Sequence, residues 1–331
     1  MGDTRESLGK EIQFDPDGFM IDADLWDDAI AGAIAGEDGI EEMSEKHWAV
    51  VRFIRAYWLK NDLAPAVRLL CKESGVSVRE MYKLFTAGPA RVLYLVNPRE
   101  IKFFPLSLMA AAGLFHKAGE SWTISSRFYD VTNYGYFSGD NQSAGELTSR
   151  VMGEAKRLGV KEVIRSECGH RYRSFRWEGP NWIEGSYPIP MRSVLELVEE
   201  YLDDGRLNVD PSKNTGRVTL HDPCNLVRWG GISEPQRRIL KQVVTDFEEM
   251  TPNRADNFCC GGGGGMLSMS EYGQRRVASG SVKADQIRTT GAKIIATPCH
   301  NCADQLLEIN KHHKLGVEIQ AVVELVYNAL V

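Results

Sequence analysis

RVTLHDPCN, residues 217–225, reads as a short apolar strand that runs into a turn and ends on a cysteine. VLYLVNPRE, residues 92–100, has the same form, with Pro98 standing over Pro223. Working outward, TNYGYFSGD (132–140) matches DNFCCGGGGG (256–265), Asn133 over Asn257 and Gly135 over Gly261. GVKEVIRSECGH (159–170) then matches GAKIIATPCHNC (291–302). Pro98 to Gly135 is 37 residues and Pro223 to Gly261 is 38, so the register holds across a whole unit. Residues 91–331 therefore read as two related halves, 91–216 and 217–331.

Each half alternates strands with helices. RVLYLV, SWTIS, KEVIRS, RVTLH and AKIIAT are short apolar runs, separated by FPLSLMAAAGLFHKAG, ELTSRVMGEAKRL, RSVLELVEEYL and QRRILKQVV at helical spacing. That alternation predicts α/β units with parallel sheet. Residues 12–90 differ, reading as a small, mainly helical domain. ADLWDDAIAGAIAG, EKHWAVVRFIRAYWLK and APAVRLLCKES keep helical periodicity, and Ser77 with Glu80 forms a capping box. IQFDPDGFMI predicts a β-hairpin around Asp15-Pro16-Asp17-Gly18. TAGPA, 86–90, is the expected boundary.

A length of 331 residues suits two domains, and 43% apolar with 25% charged residues is ordinary globular composition. No apolar run approaches the ~20 residues that cross a bilayer, and no secretory signal is visible, so the expected compartment is the cytoplasm without direct membrane insertion. Net charge is −6, which argues against nucleic acid. PAVRLLCKESGVSVREMYKLF scans like a helix-turn-helix but sits in acidic surroundings. Residues 1–42 hold thirteen Asp or Glu against Arg5 and Lys10, either a solvated face or a docking face for a basic partner.

Seven cysteines in a cytosolic chain point to metal or redox chemistry before disulfides. Cys71 and Cys168 stand alone, and five crowd into residues 224–302. Cys224 follows RVTLH, Cys259-Cys260 precede Gly261–Gly265, and Cys299 and Cys302 follow AKIIAT. In open α/β folds the loops beyond strand C-termini converge, so these thiols should meet. Five thiolates overshoot one tetrahedral zinc, and the tight spacing of cubane-cluster runs is absent. A larger, non-cubane iron–sulfur assembly fits best; zinc, and buried ordinary cysteines, are the alternatives. Gly261, Gly262 and Gly263 would let backbone approach the cluster closely. The first half has Arg99 where the second has Cys224 and keeps only Cys168 near the last position.

HDPCNLVRWGG, DNFCCGGGGG, ATPCHNC and ECGH resemble the cysteine-rich CCG domain of heterodisulfide reductase catalytic subunits, and more closely DsrK-type subunits, over about residues 91–331. The resemblance implies a non-cubane [4Fe-4S] cluster on Cys224, Cys259, Cys260, Cys299 and Cys302 that works on disulfides. DsrK-type subunits usually carry a ferredoxin module as well, whose cysteine run is not in this sequence. DPDGFMID, GIEEMSEKHWAVVRFIRAYW, APAVRLL and MYKLFTAGPA resemble the DsrC/TusE sulfur-carrier family over about 12–90. In that family a C-terminal arm bears the working cysteines. Here the chain runs from Gly88-Pro89 straight into the α/β part.

The expected activity is electron exchange with a protein-bound or small disulfide or trisulfide, in sulfur metabolism. Its partners would be an electron-donor protein or membrane electron-transfer complex subunits, and a free DsrC-type carrier. The alternative is a non-catalytic iron–sulfur electron-transfer or docking subunit. Cys168 is a candidate accessory ligand or substrate-side thiol, and His170 and His300 are candidate proton donors. Arg99 and Arg228 are candidates to hold negative charge nearby, with solvated roles as the simpler reading. Cys71, on an amphipathic helix, reads as a core residue, and His312-His313 as a surface feature.

Overall fold

The computed structural model describes residues 4–7, 10–14, 20–37, 40–61, 65, 67–77, 80, 81, 84, 90–129, 134–183 and 189–331. The expected turn at Asp15–Gly18, the boundary residues 86–89 and Asn133 lie outside them. The chain divides into two compact units, Met1–Pro89 and Ala90–Val331.

In the first unit β1 (Thr4–Ser7) pairs antiparallel with β2 (Lys10–Gln13). Phe14 bridges Met20 antiparallel, and Ile21 N–H donates to Gln13 O at 2.8 Å. The β1–β2 ribbon was not expected, because TRES and KEIQ are too short and polar to carry a strand pattern. Helices α1 (Asp28–Glu37), α2 (Glu45–Asn61) and α3 (Val67–Ser74) follow. Val50, Leu70, Val76 and Met81 form an apolar cluster against which Phe53, Cys71 and Leu84 pack. Cys71 is thus a half-buried packing residue. Ser77 and Glu80 satisfy each other's backbone N–H, at 3.1 and 3.2 Å, as the capping box predicts.

The second unit opens with β3 (Val92–Leu95), whose four residues are all buried. Asn97 then caps α4 (Pro98–Phe103) in a capping box with Glu100, with Pro98 in the first turn. There follow α5 (Pro105–Lys117), β4 (Trp122–Thr123), α6 (Tyr134–Ser138), α7 (Asn141–Leu158), β5 (Glu162–Arg165), α8 (Gly169–Arg173), β6 (Met191–Ser193) and α9 (Val194–Asp203). The later part runs β7 (Val218–Leu220), α10 (Pro235–Val243), β8 (Phe247–Glu248), α11 (Gly273–Ser279), α12 (Ser281–Thr290), β9 (Ile294–Ala296), α13 (His300–His313), β10 (Glu318–Gln320) and α14 (Val322–Ala329).

Two four-stranded sheets result, ordered β4-β3-β5-β6 and β8-β7-β9-β10, with every pairing parallel. Each sheet has the same internal order: second strand, first, third, fourth. The two sheets match the two expected α/β half-domains. Local devices recur at the matched places. Gly159 and Gly291 end α7 and α12 in the left-handed region, at φ 70° and 63°, just before the third strand of each half. Gly135 and Gly261 each lie flat against the start of that helix. A Cβ on Gly135 would meet Ala144 N at 2.7 Å, and one on Gly261 would meet Gly280 N at 3.3 Å.

The halves share one core. Leu114, Phe115, Val198, Tyr201, Ile239, Leu240, Val322 and Val326 belong to a single buried cluster between the sheets. In it α5 packs on α14 and α9 on α10, so the first-strand helix of one half meets the fourth-strand helix of the other. Burying these side chains is worth roughly 1.5–3 kcal/mol each before the entropy cost. Among the described residues no helix is long and apolar enough to cross a membrane.

Candidate functional site

In each sheet the order reverses beside the first strand, between β3 and β5 and between β7 and β9. Such a switch point opens a crevice at the strand C-termini. Both crevices face the same space. Arg99, after β3, ion-pairs with Asp304 on α13. His300 N–H donates to Glu167 O at 3.3 Å, and Ser107 Oγ lies 3.0 Å from His300 Nε2. The Glu167 carboxylate accepts from Val322 and Val323 N–H at 3.2 and 3.0 Å, capping α14 of the other half. Contact is closest at Gly169, where a Cβ would meet Leu226 N at 2.7 Å. Only glycine lets ECGH lie on the loop after Cys224.

Six cysteines gather where the crevices meet. Cys224 lies beyond β7, Cys299 caps α13, Cys302 is in its first turn, and Cys168 caps α8. Cys259 and Cys260 arrive on the loop before the glycine run. The Cys260 and Cys302 sulfurs are 3.5 Å apart. Thiol contacts run Cys224–Cys259–Cys260–Cys302–Cys299–Cys168 without a break. Cys168, Cys260, Cys299 and Cys302 are buried, Cys224 is half-buried and Cys259 is exposed, so one end of the row is open.

The charges follow from this crowding. The Cys224 and Cys260 thiols, then the Gly261 N–H at 3.3 Å, push Cys259 down to about 2. Cys168 first, then Cys302 and His170, hold Cys299 well below the ordinary thiol value. Their neighbours are displaced the other way. Cys224 is raised by Cys259, Cys260 to about 12 by Cys259, Cys168 by Cys299, and Cys302 by Cys260 and then Cys299. The shifts oppose one another because adjacent thiolates repel. A soft cation bound by these thiols would relieve that repulsion. The donor set and its spacing therefore fit a multi-metal thiolate group. The backbone fits it too. Gly261, Gly263 and Gly264 take φ of 81°, 64° and 59°, a conformation that turns N–H groups toward anions, and a Cβ on Gly262 would lie 3.5 Å from Cys260 Sγ.

Of the expected proton donors, His170 borders the thiols, its ring nitrogen within 4.8 Å of the Cys168 and Cys299 sulfurs. Its Nδ1 accepts from Asn301 at 3.2 Å, and Phe137 lies edge-on at 5.0 Å. His170 also lines a shallow cleft of about 50 Å³ with Asn97, Arg99, Phe137, Gly264 and Asn301. His300 is fully buried instead, stacked near Phe104 at 5.1 Å, and burial lowers its pKa. Arg228 clamps the loop before Cys259, donating to Ala255 O at 2.7 Å and Asn257 O at 2.6 Å.

Sequence reasoning missed several residues here. His221 is wholly buried, its ring nitrogen within 4.8 Å of the Cys260 and Cys302 sulfurs. Desolvation, and then the Lys283 charge, hold it neutral with its pKa near 3. Lys283, buried on α12, donates to Gln286 and is lowered to about 8 by burial. Asp222, buried, accepts two bonds from Arg237 at 2.9 and 2.7 Å and one from Arg254 N–H at 2.7 Å. The signal was in HDPC, where a histidine and a carboxylate precede a ligand-type cysteine.

Fold and site define a cysteine-rich α/β protein of paired half-domains, preceded by a separate, largely helical unit. Residues 6–96 match the DsrC like protein family, and residues 218–307 match the cysteine-rich CCG domain. The chain thus carries a DsrC-like domain and a CCG cysteine-rich domain, and through the first it belongs to the DsrC/TusE family. The sulfurtransferase TusE of Salmonella typhimurium is 43% identical over 91 residues, 25% of this chain and 82% of TusE. The Hdr-like menaquinol oxidoreductase iron-sulfur subunit 2 of Archaeoglobus fulgidus is 30% identical over 255 residues, 66% of this chain and 46% of that protein. The Hdr-like menaquinol oxidoreductase iron-sulfur subunit of Archaeoglobus profundus is 31% identical over 257 residues, again 66% of this chain and 46% of that protein. The chain spans about half the length of these two reductase-type relatives.

Proposed function

We propose that this chain is an iron–sulfur oxidoreductase subunit of sulfur metabolism, exchanging electrons with a disulfide or trisulfide at a non-cubane [4Fe-4S] cluster. Cys224, Cys259, Cys260, Cys299 and Cys302 hold the cluster. The observation that carries this reading is the unbroken row of thiols, closed at one end and open at Cys259. The iron-sulfur names of the reductase-type relatives support it.

When bound, the cluster would supply and store electrons and offer iron to a substrate sulfur. The chain's own residues do the rest. Cys259 and Cys224 mark the exposed side of the row, and Phe137 and His170 line a cleft beside its Cys168–Cys299 end. Reducing one disulfide takes two electrons and two protons and yields two thiols. The electrons come from a partner protein. His170, held by Asn301 beside Cys299, is the group placed to pass a proton to a departing thiolate. The DsrC-like domain is the docking module for that partner or for a free sulfur carrier. Its acidic N-terminal stretch favours basic partners, so binding should weaken as salt rises past ~0.15 M.

The experiment is anaerobic purification with iron and acid-labile sulfide counts, then EPR with added thiols and disulfides. About four irons with matching sulfide are expected. Zinc as the sole stoichiometric metal would overturn the reading.

A further inference from the structure

Two histidines face the row of thiols. At the Cys168–Cys299 end His170 is half-buried, and its Nδ1 is occupied by the Asn301 amide. Beside Cys260 and Cys302, in the middle of the row, His221 has 0% exposure, and neither ring nitrogen has a hydrogen-bond partner among the described residues. Its backbone is fixed, since its N–H donates to Ala296 O at 2.9 Å between β7 and β9. The ring cannot turn toward water. A buried imidazole with two unsatisfied nitrogens is an energetic deficit that something must remove. The ligand atoms facing it are the sulfurs of Cys260 and Cys302, both buried, and all three atoms lie within 4.8 Å of one another. Three ligand-type atoms gathered so closely suit one ion. With Zn–S or Fe–S bonds of ~2.3 Å and M–N bonds of ~2.1 Å, ligand atoms of one tetrahedral centre stand ~3.5–4 Å apart.

We propose that His221 supplies a nitrogen ligand to the iron bound by Cys260 and Cys302. This rests on the iron–sulfur reading above and extends it, giving the cluster one nitrogen ligand beside two buried thiols. A neutral imidazole donates an electron pair without adding negative charge, so it eases the crowding of anionic thiolates in the buried part of the row. Lys283 adds a positive charge on the same side, its ammonium held by Gln286 near the Cys260 and Cys302 thiols. The buried middle of the row is thereby built for retention, leaving the Cys224–Cys259 end for exchange.

The test uses the full-length chain grown with ¹⁵N-histidine, loaded anaerobically with ferrous iron and sulfide and poised in a paramagnetic state. Pulsed EPR should show strong coupling to a histidine nitrogen. The coupling should persist in His170→Gln and vanish in His221→Gln. If His221→Gln fails to load, the wild-type and His170→Gln spectra still decide. A loaded wild-type cluster without strong histidine coupling, or one whose coupling disappears in His170→Gln, overturns the proposal. A wild-type chain that takes up no iron or sulfide overturns the functional reading beneath it, and the elemental counts separate the two failures.

Discussion

The sulfur atoms of Cys260 and Cys302 lie 3.5 Å apart although 42 residues separate them in the chain. Two thiols at that distance inside a buried core are a poor use of space unless something draws them together. Cys260→Ser or Cys302→Ser should therefore strip or strongly distort the bound metal, read as lost iron and sulfide per chain. Cys71→Ser should leave both counts nearly unchanged, because Cys71 packs against the Val50–Leu70 cluster of the other unit.

Gly261 has φ of 81°, and a Cβ there would meet Ser279 Oγ at 3.0 Å and Arg276 O at 3.1 Å. Gly261→Ala should cost about 1–2 kcal/mol from the left-handed backbone alone, with more from the contact. Because Gly261 N–H donates to Cys259 Sγ at 3.3 Å, the strained loop should also release metal faster. Denaturant titration and the rate of iron loss to a chelator read the two effects separately.

Arg237 binds Asp222 through two nitrogens, and both residues are almost wholly buried. Arg237→Met would leave the Asp222 carboxylate uncompensated, with only the Arg254 N–H still donating to it. A loss of about 3–5 kcal/mol is expected. Arg237→Met with Asp222→Asn should recover much of it, which a double-mutant cycle in urea would show.

The fold was largely legible, because repeated strands and glycines obey local rules. Gly159 and Gly291 end helices, Gly135 and Gly261 admit helix starts, and Pro98 and Pro223 follow first strands. Strands β6, β8 and β10 were not legible, since two or three residues carry no periodicity. The cysteines were legible as ligand types. His221 was not, because one histidine at the end of an apolar strand is usually a core residue. Its meaning comes from Cys260 and Cys302, far away in sequence, closing over its ring. Gly169 escaped for the same reason, since its demand for space comes from Asn225 and Leu226 in the other half.

Glu80 offers a pH test in the first unit. The Lys46 ammonium first, then the Ser77 hydroxyl and N–H, lower its pKa from 4.5 to about 2. A depressed carboxylate stabilises the folded state above its unfolded pKa and loses that contribution as pH falls through the folded one. The window is therefore about pH 4.5 down to about 2. Glu80→Gln should flatten the acid dependence of stability in that window and leave the slope near neutral pH unchanged. Helical circular dichroism against urea at several pH values reads this.

Cys168 is the thiol on which the enzymatic reading turns. It caps α8 in the half that lacks the cysteine pair, and its sulfur lies against Cys299, whose charge it helps to hold. Its contact with the row runs through Cys299, and it is not one of the five proposed ligands. A residue so placed lends a hydrogen bond without carrying the metal. Cys168→Ser keeps a hydroxyl donor of similar size, so iron and sulfide should stay near the wild-type counts. What should change is the response to substrate. Adding a disulfide or trisulfide to the loaded wild type should shift or broaden the EPR signal, and in Cys168→Ser that response should shrink. Equal responses in both proteins would remove Cys168 from the reaction. A wild-type signal indifferent to every thiol, disulfide and trisulfide would leave a metal-binding subunit that only relays electrons or docks partners.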